Sequence, residues 1–379
     1  MAVSKRLQPF GVTIFTEMTE LANRFGAINL GQGFPSWDGP DFVKEAATAA
    51  MAGGLDQYPP SPGLPALREA VARRYGPLLG RTLDPGTEVT ITSGCTEALA
   101  ASFLGLVDPG DEVILIEPYY DSYPADLVMA GAIPRYVTLR PPDFRLDLDE
   151  LASVFSPQTR AVMVNTPHNP TGRVFDQGEL EGIANLCRRY DAIALCDEVY
   201  EELVFESEHL RMAKLEGMWE RTVTMSSVGK TFSLTGWKVG WAVAPAALTA
   251  GVRAAHQFLT FTTPTPVQAG TAAALGAPPE FYADLRDGYR AKRDLLVGGL
   301  RQVGLDAFLP EGTYFVMAGV EGVDGRSFCL RLVEEARVAA IPASAFYHQP
   351  GPGDGLVRFA FCKDEATLTE AIARMTYAM

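Results

Sequence analysis

The most restrictive feature of the sequence is a rhythm: short β-rich runs, several of them apolar on successive residues, alternate with stretches whose apolar residues recur at helical spacing. The β-rich runs fall at Val89 to Thr92, Val113 to Ile116, Ile133 to Leu139, Ala161 to Val164, Ala192 to Leu195 and Val223 to Met225, and most are separated by helical patterns such as Glu97 to Leu106 and Gly178 to Tyr190. Such alternation builds parallel β-α-β units. Val113-Ile-Leu-Ile116 and Ala192-Ile-Ala-Leu195 show no polar alternation, as expected of strands covered by helices on both faces. The expected fold is α/β, with a mostly parallel central sheet and helices on either side. At 379 residues and 47% hydrophobic, the chain carries enough apolar material for one extended core or two.

Two regions depart from the rhythm. Ile14, Phe15, Met18, Leu21, Ala22 and Phe25 describe an amphipathic helix that stops at Gly26. From about Pro278 a long helical stretch reaches Leu300, followed by a strand at Tyr314 to Met317, a helix near Phe328 to Ala336, a strand at Leu356 to Phe361 and a last helix from Asp364. The expected organisation is an arm over residues 1–39 joining a small α+β domain at 281–379, with a large domain between them at 40–280.

Charge and cysteine usage remove several functions. Asp and Glu outnumber Lys and Arg by 46 to 32, a net charge of −14, which repels phosphate backbones and anionic lipid. No nucleic-acid or membrane partner is expected, and a small anionic ligand needs a local basic pocket. Five cysteines without a C-x-x-C pair suggest neither a metal site nor a redox site, and suit a reduced cytoplasmic protein. No apolar leader or run of membrane-spanning length is evident.

In open parallel sheets ligands bind beyond the carboxyl ends of the strands. Here those ends are polar or aromatic: Ser93-Gly94-Cys95-Thr96, Glu117-Pro-Tyr-Tyr120, Asn165-Thr-Pro-His-Asn169-Pro-Thr-Gly172, Asp197-Glu-Val-Tyr200 and Ser226-Ser-Val-Gly-Lys230. Gly229-Lys230-Thr231 suggests a nucleotide-binding P-loop, but the pattern requires glycine where Thr224 stands. No G-x-G-x-x-G follows an early strand, which removes the usual dinucleotide fingerprint. A lysine, an acid and a glycine-rich helix start at strand ends fit a different cofactor. Pyridoxal phosphate has an aldehyde for a lysine, a pyridine nitrogen for an acid, and a phosphate for a helix N-terminus.

Longer motifs carry a family resemblance. Asn29-Leu-Gly-Gln-Gly-Phe-Pro35, Asn165 to Gly172, Asp197-Glu-Val-Tyr200 and the run Lys230-Thr-Phe-Ser-Leu-Thr-Gly-Trp-Lys-Val-Gly-Trp241 resemble fold-type-I, class I aminotransferases of the kynurenine aminotransferase and glutamine transaminase K branch. Gln57-Tyr-Pro-Pro60, Gly312-Thr-Tyr-Phe315, Ala340 to Phe346 and Val357 to Lys363 are similar to the N-succinyldiaminopimelate aminotransferases.

The resemblance implies a role for each site residue. Lys230 would bond to the cofactor aldehyde and then act as base at the substrate α-carbon. Asp197 would keep the pyridine nitrogen protonated. Tyr200 and Asn169 would donate to the cofactor's ring oxygen, and Tyr120 would stack on the ring. Gly94, Cys95, Thr96, Ser227 and Lys238 would hold the phosphate, joined by Tyr58 from a neighbouring subunit, so that a homodimer shares its active sites. Arg358, with Asn169 and the Gly33 backbone, would grip the substrate α-carboxylate. Phe15 and Phe261 fall near the family's side-chain pocket.

The implied activity is transfer of an amino group between an L-amino acid and a 2-oxo acid, with N-succinyl-LL-2,6-diaminopimelate and 2-oxoglutarate as the leading pair. Broad glutamine, methionine or aromatic transamination and cysteine-conjugate C-S β-lyase chemistry are the alternatives. A cofactor-sensing transcription regulator would need a fused basic domain for which this acidic chain has no room.

Overall fold

The computed structural model describes residues 3–378. Its centre is a seven-stranded sheet: β1 (Val89–Thr92), β2 (Glu112–Glu117), β3 (Ile133–Thr138), β4 (Thr159–Asn165), β5 (Ile193–Asp197), β6 (Thr222–Ser227) and β7 (Gly240–Val243). The spatial order is β1-β7-β6-β5-β4-β2-β3. All neighbours pair in parallel except β7, which runs antiparallel to both β1 and β6. Every residue of β1, β2, β5 and β7 is buried, as expected of strands with helices over both faces, and in β2 and β5 the apolar runs Val113–Ile116 and Ile193–Cys196 fill the interior. β3, at the edge, alternates instead.

The reversed strand has a geometric consequence. Because β7 runs backwards, it begins at the edge where its parallel neighbours end, with Ser227 of β6 opposite Gly240 of β7. The segment between them leaves and returns at that edge, bringing Lys230 and Lys238 to the same place as the ends of β1, β4 and β5.

A second, four-stranded antiparallel sheet contains β8 (Asp306–Ala307), β9 (Phe315–Gly319), β10 (Ile341–Pro342) and β11 (Leu356–Ala360) in the order β10-β11-β9-β8. The long helix Pro279–Gln302 leads into it, and the terminal helix Glu365–Ala378 packs against that helix. The N-terminal helix Ile14–Phe25 is capped by the Thr13 hydroxyl, which accepts from the Thr16 N–H, and closes at Gly26 with φ +61. The strand that follows, Ile28–Asn29, pairs in parallel with Val338–Ala339, and Leu30 accepts from the Ala360 N–H. The N-terminal segment is thereby bound to the second sheet and carries Gln32 and Gly33 to the site.

Candidate active site

A cavity of about 450 Å³ opens at the carboxyl edge of the large sheet, and the strand-end residues expected from sequence line it: Gly94, Cys95, Thr96, Tyr120, Asn169, Asp197, Tyr200, Ser227, Lys230 and Lys238, with Phe15, Gly33 and Arg358 from the other elements. Thr13, Gln32, Asp121, Tyr123 and Phe315 also face it and were not singled out for the site. In a chain of net charge −14, this one cavity collects Lys230, Lys238 and Arg358, which supplies the local basic pocket that a small anion needs.

Asp197, 5% exposed, is the last residue of β5. Its Oδ2 accepts from the Tyr123 hydroxyl at 2.8 Å, and Oδ1 accepts from the Val199 N–H at 3.2 Å and lies 3.6 Å from Cys95 Sγ. Burial pushes its carboxyl above the usual range, while the Tyr123 and Val199 bonds pull it back. A cation placed against it would favour the charged form. Lys230 follows β6 on the short helix Val228–Thr231; burial lowers its ammonium below the ordinary lysine value, leaving an amine easier to deprotonate. Its Nζ stands 5.8 Å from the Tyr200 ring centre and 5.7 Å from that of Tyr314. Tyr200 is itself wedged edge-on against Tyr314 and Phe315.

The anion cradle is built by close approach. Ser93 turns the chain from β1 into the helix Gly94–Leu106, and Gly94 takes φ +76, a left-handed conformation glycine adopts freely. A Cβ on Gly94 would stand 3.2 Å from Lys238 Nζ, and one on Gly240 would strike the Gly94 carbonyl carbon at 2.5 Å. Gly240 is therefore required for the start of β7 to lie against the helix N-terminus, and Gly94 for the left-handed turn that opens that helix. Lys238 also takes a left-handed backbone, φ +54, and its Nζ reaches Thr96 Oγ1 at 3.4 Å. Free N–H groups, hydroxyls and an ammonium here form an anion site.

Arg358, 1% exposed in the middle of β11, donates from Nη1 to Asn169 Oδ1 at 2.8 Å and from Nη2 to the Gly31 carbonyl at 3.0 Å. Gly33, expected beside it at the carboxylate, lines the same cavity, and its carbonyl accepts from the Tyr314 hydroxyl. Its carbon Cζ lies 3.9 Å from the Phe315 ring centre, 4.8 Å from Phe346 and 5.1 Å from Phe15, an apolar surround that lowers its pKa to about 10. The buried Nε has no hydrogen-bond partner among the described residues. An unpaired guanidinium nitrogen in an aromatic sleeve suits a carboxylate ligand.

Two expected residues stand apart. Tyr58 is 82% exposed, and its ring meets Phe261 edge-on at 5.7 Å, outside the cavity wall of this chain. Phe261, at φ +65 and 45% exposed, likewise does not reach the side-chain end of its own site. Of the adjacent tyrosines, Tyr119 is buried in the core and Tyr120 faces the cavity. His168 is buried with Nδ1 2.8 Å from Thr171 Oγ1, and burial drops its pKa to about 3, so it fills a turn.

A buried acid, a lysine on a strand-end turn, an anion cradle at a helix start and a buried guanidinium with no carboxylate partner suit pyridoxal phosphate and an amino acid. Comparison with known proteins agrees. Residues 26–375 match the family model for aminotransferase class I and II. The chain is 48% identical over 391 residues to a probable N-succinyldiaminopimelate aminotransferase of Mycobacterium tuberculosis, covering 99% of this chain and 98% of that protein. A solved N-succinyldiaminopimelate aminotransferase from the same organism superposes with a TM-score of 0.97 at 47% identity over 100% of both chains. A methionine aminotransferase of Escherichia coli is 42% identical over 98% of this chain and 97% of its own length. The chain belongs to the class I and II aminotransferases, enzymes dependent on pyridoxal phosphate.

Proposed function

We propose that this aminotransferase exchanges the amino group between N-succinyl-LL-2,6-diaminopimelate and 2-oxoglutarate, working as a cytoplasmic homodimer in lysine biosynthesis. The observation that carries the reading is the end-to-end likeness to the M. tuberculosis relative. Five buried, unpaired cysteines suit a reducing cytoplasm. Exposed Tyr58, Phe258, Leu259 and Phe261 form apolar surface of the kind a partner covers. Tyr58 then serves the phosphate of the partner's site. The division into an arm at 1–39, a large domain at 40–280 and a small domain at 281–379 belongs to the same reading.

Bound in the cavity, pyridoxal phosphate supplies an aldehyde that condenses with amines and a ring that takes up electrons released at the substrate α-carbon. Lys230 holds the cofactor and moves the proton at the α-carbon. Asp197, oriented by Tyr123, holds a proton at the ring nitrogen. Asn169, whose Oδ1 is engaged by Arg358, keeps its amide nitrogen free and would, with Tyr200, donate to the cofactor's ring oxygen, while Tyr120 would cover the ring. The Gly94, Cys95 and Thr96 N–H groups, Ser227 and Lys238 hold the phosphate, while Arg358 takes the substrate α-carboxylate.

One observation favours a second reading, transamination of neutral amino acids such as methionine or glutamine. Asp121 lines the cavity with a carboxylate that would oppose a distal carboxylate on the substrate. The two are separated by measuring kcat/KM for glutamate and N-succinyl-LL-2,6-diaminopimelate beside methionine, glutamine and phenylalanine. Turnover of the neutral residues with none of glutamate overturns the succinyldiaminopimelate reading. Pyruvate released from a cysteine conjugate without any oxo acid would instead reveal β-lyase chemistry.

A further inference from the structure

His256 lies on the helix Ala246–Leu259, fully buried, and is none of the residues assigned so far. Its Nδ1 stands 2.6 Å from Glu97 Oε1, and its Nε2 2.8 Å from the Ser61 carbonyl oxygen. An ionised carboxylate and a carbonyl only accept, so each ring nitrogen must carry a proton. With Glu97 ionised the ring is an imidazolium, and the two form a buried ion pair. Burial works against that charge, yet the bonds to Glu97 and Ser61 outweigh it and hold the pKa above the ordinary histidine value; Arg253, on the same helix, opposes them.

The two ends of this pair reach different parts of the phosphate machinery. Glu97 uses Oε2 to accept from the Ser93 N–H, fixing the turn that opens the cradle. Ser61 belongs to the proline-rich loop that presents Tyr58. The His256 backbone carbonyl accepts from the N–H groups of Thr260 and Phe261, both at 3.1 Å, so the same residue ends its helix and sets the ring against which Tyr58 rests. Elsewhere the loop is anchored by Thr265 Oγ1 to the Gln57 carbonyl and by the Leu64 N–H to Gln268 Oε1, each at 2.7 Å.

We propose that the Glu97–His256 ion pair is a positioning strut joining two phosphate-binding elements of one chain: the cradle turn of its own site and the Tyr58 loop that serves its partner's. The proposal rests on the shared-site homodimer described above. One buried pair fixes both elements, so a shift at one cradle reaches the tyrosine that serves the other. Neither residue lines the cavity.

Two substitutions separate the arms. An asparagine amide nitrogen stands about where Nδ1 stood and a glutamine amide nitrogen about where Nε2 stood. His256→Asn thus retains the bond to Glu97 and loses Ser61, whereas His256→Gln does the reverse. Titrated by cofactor absorbance, each homodimer should require about tenfold more pyridoxal phosphate for half-saturation, since small misplacements of binding groups are amplified in this way. Heterodimers with Lys230→Ala chains then locate the lesion. The His256→Asn heterodimer should turn over like a parental/Lys230→Ala heterodimer, because its damaged loop serves the site that already lacks Lys230. The His256→Gln heterodimer should stay impaired, its damage lying in its own cradle.

If both variants remain impaired in heterodimers, the arm reaching the partner is wrong. If both bind cofactor as the parent does, the strut itself is wrong. An active monomer in sedimentation would overturn the dimer reading and the partner arm with it, while the same titration still judges the Glu97–Ser93 arm. Should the His256 variants unfold, Glu97→Ala serves: with no side-chain acceptor left for the Ser93 N–H or for His256, it must loosen cofactor in its own site, and parental affinity there overturns the strut.

Discussion

Arg358 and Asn169 meet at 2.8 Å although they arrive from different sheets, Arg358 from the middle of β11 and Asn169 from the turn after β4. One bond thus spans the two halves of the cavity. Asn169 is turned so that its oxygen faces the guanidinium and its amide nitrogen is left to donate elsewhere.

Arg358→Ala should weaken the first half-reaction for every α-amino acid alike, because the α-carboxylate is common to all of them. Truncating one side of a buried charge pair costs roughly 2–5 kcal/mol, or about thirty- to several-thousand-fold in kcat/KM. Arg358→Lys keeps the charge but loses the fork and should recover only part of the loss. A defect limited to one substrate would move Arg358 to the side-chain end.

Lys230→Ala should fold, retain cofactor through the phosphate cradle and lose both turnover and the absorbance band of lysine-bound cofactor. Transamination at the parental rate would remove Lys230 from the chemistry.

Asp197 links pH to stability in the cofactor-free protein. Burial raises its folded pKa above 3.8, so the folded chain keeps a proton that the unfolded chain has released. Its contribution is fully present below the unfolded value and is lost as pH rises through the higher folded one. Cofactor-free Asp197→Asn should therefore melt higher than the cofactor-free parent at neutral pH, with the gap closing toward acid, while binding cofactor less tightly. Melting curves recorded across pH that run parallel for the two proteins would contradict this.

Gly94→Ala places a side chain at φ +76 and 3.2 Å from Lys238 Nζ. The left-handed backbone costs on the order of 1–2 kcal/mol, and Lys238 must move. A lower Tm together with weaker cofactor binding is expected. A loss of Tm with unaltered cofactor affinity would show that the cradle does not depend on this approach.

Much of this arrangement is legible in the sequence because each piece follows a short β-rich run, two of them apolar on successive residues, so the polar and aromatic residues at those ends stand out. The helix Ile14–Phe25 falls where its periodicity and Gly26 place it. β7 was not recognised as a strand: four residues opening with Gly240 give too short a pattern, and its pairing partners are set by tertiary contacts. Tyr123 and Asp121 were missed because a helix start offers many polar reasons for such residues. His256 was missed for a different cause. Glu97 lies 159 positions away and Ser61 195, so no local spacing announces the pair.

The backward course of β7 also bears on how such an enzyme can be altered. Since Ser227 and Gly240 lie opposite each other in the ladder, the stretch 228–239 is a closed excursion whose two feet are pinned by the sheet. A change of length or sequence within it leaves every strand in register while relocating both amines relative to the ring and the phosphate. The stretch behaves as an exchangeable cassette: swapped whole from a homologue, it would carry a matched pair of cationic groups into an otherwise untouched scaffold.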